Sequence, residues 1–291
     1  MTAGTLDEWL ASGPLVTDGA WGTRFMAQGL APGECADRWN TAFPDRVLAV
    51  ARAYVEAGSQ VILTNTFRSN RIALAAEGIA DRVAELNRRG VEISRQAADG
   101  RALVFASMGT SGKMLVTGEV TEQQLAEAFT EQSAIIAEAG ADAIIFETMA
   151  DVQETAIGIA AARRTGLPVI ASMVFDSGKN KDRTMMGTSP EQAARTLTDA
   201  GADAIGANCG VGIAAYVPIC RRLVASTSRP VWIKANAGLP EMVEGRAVYA
   251  TTPDDFAGYV PELVAAGARF IGGCCGTDPD FIRAIRRRMG S

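Results

Sequence analysis

Four helices that each end in glycine and run straight into a β-branched apolar segment predict an α/β chain folded as a single (β/α)8 TIM barrel. The copies read Glu56-Ala57-Gly58 before QVILTNTF, Glu138-Ala139-Gly140 before DAIIFETM, Asp199-Ala200-Gly201 before DAIGANCG, and Ala265-Ala266-Gly267 before RFIGGCCG. Their glycines are 82, 61 and 66 residues apart, room for two strand–helix units in each interval. Between the copies lie four further apolar runs, and their near-continuous hydrophobicity suits parallel strands buried on both faces. The chain has 291 residues, 48% of them hydrophobic, so one large domain over 1–291 can bury its own core.

The elements follow in order. PLVTDGA at 14–20 is the first strand; no G-x-G-x-x-G follows it, which weighs against a doubly wound open sheet. Residues 21–47 are expected as an inserted loop over the barrel mouth. ALVFASMGT at 102–110, PVIASMVF at 168–175 and PVWIKANAG at 230–238 are the third, fifth and seventh strands, and the four repeat copies supply the others. Helices over 121–140 and 189–201 open with the caps Thr121 and Ser189. The irregular stretch 176–188 (DSGKNKDRTMMGT) follows the fifth strand as a possible lid. The run Arg286–Arg287–Arg288 falls in a final helix, as a solvated face near its C-terminus.

Composition removes several function classes. A net charge of −5 without a basic block argues against nucleic acid as partner. No apolar stretch reaches membrane-spanning length and no signal-peptide pattern opens the chain, so a soluble, cytoplasmic protein is expected. Histidine is absent, which excludes imidazole as base, nucleophile or ligand. The five cysteines, at 35, 209, 220, 274 and 275, are an odd set with an adjacent pair, better suited to thiol or metal chemistry than to disulfides.

In a barrel the chemistry sits where strands end on their C-terminal side. Asp18, Asn65, Thr66, Ser107, Met108, Glu147, Cys209, Asn236, Cys274 and Cys275 all fall there. Cys209 ends the sixth strand and Cys274–Cys275 the eighth, so three sulfurs can converge across a 65-residue gap. Three thiolates fill three corners of a zinc tetrahedron and leave one open, the pattern of a catalytic rather than a structural site. Such a site carries a net charge of about −1, so it is a weak Lewis acid toward carbonyls but would deprotonate an entering thiol. Core packing is the competing reading of any cysteine. It is the reading adopted for Cys35 and Cys220, the latter on the inner face of a helix. A phosphate-gripping GGCCGT loop is a second rival, but it leaves Cys209 unexplained.

DGAWGT at 18–23, LTNTF at 63–67, FET at 146–148, ANCG at 207–210, KANAG at 234–238 and GGCCGT at 272–277 stand in the order of a known pattern. The chain resembles the zinc-dependent homocysteine S-methyltransferases, among them betaine–homocysteine methyltransferase and the homocysteine-binding module of cobalamin-dependent methionine synthase. The resemblance implies that Cys209, Cys274 and Cys275 hold Zn2+, and that Asp18 and Glu147 hold the amino group of homocysteine. Two strand-end carboxylates suit an ammonium independently of any family. A turn or helix cap is the alternative for Asp18, and an ion pair with Lys234 or Arg24 for Glu147. Asn65 and Asn236 would organise the rim, and backbone amides near Ser107–Gly109 would meet the substrate carboxylate.

The reaction expected is displacement at a methyl carbon, giving methionine. A small onium donor suits it, with glycine betaine first and a sulfonium such as S-methylmethionine next. Aromatic faces recognise quaternary ammonium groups, and Trp21, Trp39 and Phe67 lie in or beside the mouth loops. GLAPGECADRWNTAFPDRV at 29–47 resembles the segment around a donor tryptophan in short bacterial betaine–homocysteine methyltransferases and departs from the animal type. The length leaves no room for folate, cobalamin or reactivation domains, so a methionine synthase role would need a methylcobalamin-carrying partner protein. A lyase with Lys234 as a Schiff-base lysine at the end of the seventh strand is the rival from another class.

Overall fold

The computed structural model describes residues 5–243 and 246–290; residues 1–4 and Ser291, the ends of the expected 1–291 domain, lie outside the described residues. Eight parallel strands form the expected barrel: β1 Leu15–Val16, β2 Val61–Leu63, β3 Leu103–Met108, β4 Ala143–Met149, β5 Val169–Met173, β6 Ala204–Cys209, β7 Val231–Ala235 and β10 Ala268–Gly273. Their order is β1-β10-β7-β6-β5-β4-β3-β2, each pair parallel, with helices between successive strands. Two antiparallel strands, β8 Glu241–Val243 and β9 Arg246–Val248, make a hairpin in the loop after β7 that the apolar pattern did not announce. The four glycines that close the repeated helices, Gly58, Gly140, Gly201 and Gly267, all adopt positive φ, which is why each helix stops there and turns into its strand. Thr121 and Ser189 cap their helices through reciprocal capping boxes with Gln124 and Gln192.

Strand residues alternate between two cores. Leu63, Phe105, Ile145, Ile170, Trp232 and Phe270 point inward and fill the lower barrel, with Leu6 and Leu10 of the N-terminal segment closing its base. Phe105, Trp232 and Phe270 meet at ring separations of 5.2 to 6.0 Å. The alternate residues, such as Ile62, Val104, Ile144 and Ile233, pack outward under the helices. A filled base leaves only the opposite end open, so the barrel is a floor for a site and not a channel.

The seam between β1 and β2 is closed mostly by side chains. Gln60 donates its amide to the Val16 carbonyl (2.8 Å) and accepts the Val16 amide on Oε1 (3.1 Å), while the Leu63 amide donates to Asp18 Oδ2 (2.8 Å). Residues 21–47, expected as a loop, fold into helices Gly22–Ala27 and Trp39–Ala42, a 3-10 turn Ala36–Arg38 and the first turn of helix Pro44–Ala57. Side-chain hydrogen bonds stand in for strand pairing there: Asn65 Nδ2 donates to the Ala36 carbonyl and Asn40 Oδ1, and Asn40 Nδ2 returns to the Asn65 carbonyl. Residues 176–188 stay largely irregular, with a β-bridge between Ser177 and Arg183 and an ion pair from Asp182 to Arg222 (2.6 Å). The arginine run closes helix Pro279–Met289 as expected. Among the described residues no helix is long and apolar enough to cross a membrane.

Candidate active site

Strand register brings the three thiols together. Cys209 lies opposite Ala235, and Ala235 opposite Gly273, so Cys274 and Cys275 begin just above the level of Cys209 with one strand between. The chain turns sharply at both places: Cys209 itself has φ 65° and Gly276 φ 82°. The three sulfurs lie within 4.8 Å of one another, and Cys209 Sγ is 3.9 Å from Cys275 Sγ. Zinc–sulfur bonds of about 2.3 Å at tetrahedral angles put ligand sulfurs about 3.8 Å apart, close to the Cys209–Cys275 separation, so the donor set fits a metal ion. Cys35 and Cys220 are buried elsewhere, in the core.

Thiol–thiol hydrogen bonding divides the charge unequally. Bonds from Cys274 and Cys275 draw the Cys209 thiol down to about 3, a thiolate at neutral pH. The same bonds push Cys274 up to about 11 and Cys275 higher still. Of the three, Cys209 is the sulfur most readily ionised.

Glycines beside the pair serve packing as much as turning. A Cβ on Gly272 would sit 1.9 Å from Thr17 Oγ1 and 2.7 Å from the Asp18 carbonyl, so β10 can reach β1 only with glycine there. Thr277 then ties the turn down, donating to the Cys274 carbonyl (2.7 Å) and accepting the Ala20 amide (3.1 Å).

Beside the sulfurs lies a buried ionic group. Lys234 Nζ meets Asp18 Oδ1 at 2.5 Å, with side chains 2% and 0% exposed. Asp18 Oδ2 accepts the Trp21 indole (2.7 Å) and the Leu63 amide (2.8 Å), so this carboxylate already has three donors. Among the described residues Glu147 accepts only the Ser107 hydroxyl, at 2.5 Å. Burial pushes its carboxyl up to about 7, against the opposing pull of Lys234. Of the two carboxylates expected to share an ammonium, Glu147 therefore has the spare acceptor, and Asp18 is committed to Lys234 and the β1–β2 seam. Burial alone would lower the Lys234 ammonium, but Asp18 and Glu147 outweigh it and hold it charged. A charged, doubly buried lysine is not a Schiff-base nucleophile.

The other expected residues separate into rim and core. Asn236 Nδ2 donates to the Gly210 carbonyl (2.7 Å), steadying the turn after Cys209. Asn65 anchors residues 36–40, as described. The Ser107 and Gly109 amides are already engaged, by Thr64 Oγ1 (3.0 Å) and the Phe67 carbonyl (2.8 Å), so neither is free for a substrate carboxylate; Ser107 serves Glu147 instead. Trp21 and Phe67 are half-buried at the mouth. Trp39, expected to offer a ring face to the donor, is 2% exposed and wedged between Phe25 (5.4 Å) and Phe43 (5.2 Å). Helix Trp39–Ala42 turns its ring into the core, an orientation that a loop over 21–47 does not predict. Tyr249, which no motif flagged, packs against Gly276 beside the thiols. Asn208, Thr148 and Ser172 had no role assigned from sequence; Asn208 and Thr148 carried a signal, their places in ANCG and FET, and Ser172 carried none.

The family model for homocysteine S-methyltransferase matches residues 15–289, from β1 through the last helix. The chain is 31% identical to methionine synthase of Mycobacterium leprae over 96% of its own length, but spans about a quarter of that relative (24%). It is 27% identical to rat betaine–homocysteine S-methyltransferase 1, over 84% of this chain and 64% of the relative. Among solved structures it superposes on the metallated form of the homocysteine methyltransferase MmuM from Escherichia coli with a TM-score of 0.81. That match is at 23% identity, over 97% of this chain and 99% of the other, and shows a shared fold. By the match over its whole barrel, this chain belongs to the homocysteine S-methyltransferase family.

Proposed function

We propose that this chain binds zinc through Cys209, Cys274 and Cys275 and transfers a methyl group from a small onium donor, glycine betaine first among them, to homocysteine. The observation that carries the reading is the convergence of three sulfurs within 4.8 Å beside a carboxylate that has acceptor capacity to spare. When bound, zinc supplies positive charge that lowers the pKa of a substrate thiol in the remaining coordination position. Glu147 receives the substrate ammonium, and Ser107 fixes the carboxylate that does so. Asp18 and Lys234 hold the floor between them and supply no mobile proton. The substrate sulfur attacks the methyl carbon, the carbon–nitrogen bond breaks, and its electron pair leaves on dimethylglycine. Opposite charges cancel along this path, which favours a water-poor mouth. The half-buried faces of Trp21, Phe67 and Tyr249 suit an onium group.

Proton NMR of the zinc-loaded protein with homocysteine and glycine betaine tests the reading: methionine and dimethylglycine should appear together. Their absence, with zinc confirmed by elemental analysis, would remove betaine and turn attention to S-methylmethionine. The likeness to methionine synthase favours one other reading, a homocysteine-activating subunit fed by a methylcobalamin-carrying partner. Turnover with methylcobalamin alone would establish that second reading.

Glu147→Ala is expected to raise KM for homocysteine by about 10- to 100-fold, the weight of one charge-assisted hydrogen bond, with metal content unchanged. Steady-state kinetics measure it, and an unaltered KM would remove Glu147 from substrate binding.

A further inference from the structure

β4 contains an extra residue where it matters. Phe146 pairs with Ala171 and Met149 with Met173, so three steps on β4 answer two on β5. This is a β-bulge, and it holds Glu147 and Thr148. Ile145 faces the inner core, whereas Ile144, Phe146 and Met149 face the outer one. The extra residue lets Glu147 and Thr148, consecutive in sequence, both turn into the mouth. Thr148 adopts φ 58°, a conformation that a β-branched residue enters only under constraint.

The constraint is Asn208. The Thr148 amide donates to Asn208 Oδ1 (2.8 Å), and Asn208 Nδ2 donates back to Thr148 Oγ1 (2.7 Å). Asn208 Oδ1 also accepts the Ser172 hydroxyl (2.7 Å), and Nδ2 lies 3.9 Å from Cys274 Sγ. The Tyr216 hydroxyl holds the Asn208 carbonyl from below (2.9 Å). One fully buried amide thus ties β4, β5 and β6 together at a single level, with Glu147 next to one end and Cys209 next to the other.

We infer that the Thr148–Asn208 clamp is a positioning device that fixes the Glu147 carboxylate against the sulfur triad, and so sets the ammonium-to-thiol span the site accepts. This rests on the reading of homocysteine as acceptor with Glu147 as its ammonium partner. The span selects homocysteine over cysteine, which has one methylene less. Neither Thr148 nor Asn208 needs to touch substrate; both act through Glu147.

Thr148→Val keeps the branched shape and the amide but removes the Oγ1 acceptor. It is expected to weaken homocysteine binding, read by calorimetry on the zinc-loaded protein, about tenfold, the worth of one buried hydrogen bond. Preference for homocysteine over cysteine should narrow by a similar factor, kcat should change less than KM, and bound metal should stay at the wild-type level. Thr148→Ser, which restores the hydroxyl, should recover both affinity and selectivity. Wild-type affinity and selectivity in Thr148→Val would overturn the clamp while leaving the proposed function standing. Loss of metal from that variant would also overturn it, by making the clamp a support for the sulfurs. No homocysteine binding to the wild-type protein would overturn both readings together.

Discussion

Replacing any one of the three mouth cysteines, by Cys209→Ala, Cys274→Ala or Cys275→Ser, is expected to abolish metal retention and methyl transfer together. Zinc held by a full protein ligand set is worth about 10–16 kcal/mol, so each ligand carries roughly 3–4 kcal/mol, or a few hundred- to a thousandfold in affinity. Two thiolates left behind would not retain the ion through dialysis. Elemental analysis and NMR detection of methionine read the two losses separately, and full activity in any one variant would mean the metal site is misassigned. The fold should survive. Cys209 and Cys275 are only partly buried, at strand ends, and the packed base of the barrel uses no sulfur. The metal-free variants should therefore melt close to metal-free wild type. Cysteines bind a metal as thiolates, so loading should release protons at neutral pH. Calorimetry in buffers of different ionisation enthalpy would count them.

Local and periodic features of the sequence carried most of this architecture. The glycine-terminated helices and two-sided apolar strands located all eight barrel strands, because burial on both faces leaves a continuous hydrophobic signature. Cys209, Cys274 and Cys275 were legible because strand ends are where a barrel presents chemistry. What pattern could not carry was register and side-chain choice between partners. Asp18 and Glu147 look equivalent in sequence, yet one is saturated by Lys234, Trp21 and Leu63 and the other is not. Those donors come from distant segments. The bulge at Glu147–Thr148 was invisible because an extra residue alters pairing without altering composition. Trp39 was misplaced for a related reason: short helices in 21–47 are held by Asn40, Asn65 and Asp37 rather than by an apolar period.

Lys234→Met is the substitution expected to cost the fold most while informing on the site. It leaves the Asp18 carboxylate fully buried without its counter-charge, and removing one partner of such a pair costs about 3–5 kcal/mol. The Trp21 indole and the Leu63 amide still donate to Asp18, which places the loss near the lower end of that range, about 3 kcal/mol, by urea denaturation at pH 7. Because the folded-state ammonium titrates above its usual 10.5, the wild-type contribution is fully present below that pH. It disappears only as pH rises through the folded value. The lost ammonium therefore adds no pH dependence of its own between pH 6 and 9, whereas Glu147, no longer restrained by Lys234, makes the deficit grow as pH rises above about 7. Adding Asp18→Asn to Lys234→Met removes the orphaned charge and should restore most of the stability, whereas an additive double mutant would show the two groups to be uncoupled. Function follows a different course. Lys234 opposes the burial that raises the Glu147 carboxyl to about 7, so without it that carboxyl moves higher and is mostly protonated at neutral pH. A protonated Glu147 cannot hold an ammonium, so KM for homocysteine should rise at pH 7 and recover in part as pH increases. The stable double mutant should keep part of that defect, because Asp18 raises the Glu147 carboxyl less than Lys234 lowers it. Borohydride treatment of the wild-type protein should trap no imine at Lys234; a trapped adduct there would instead identify a lyase.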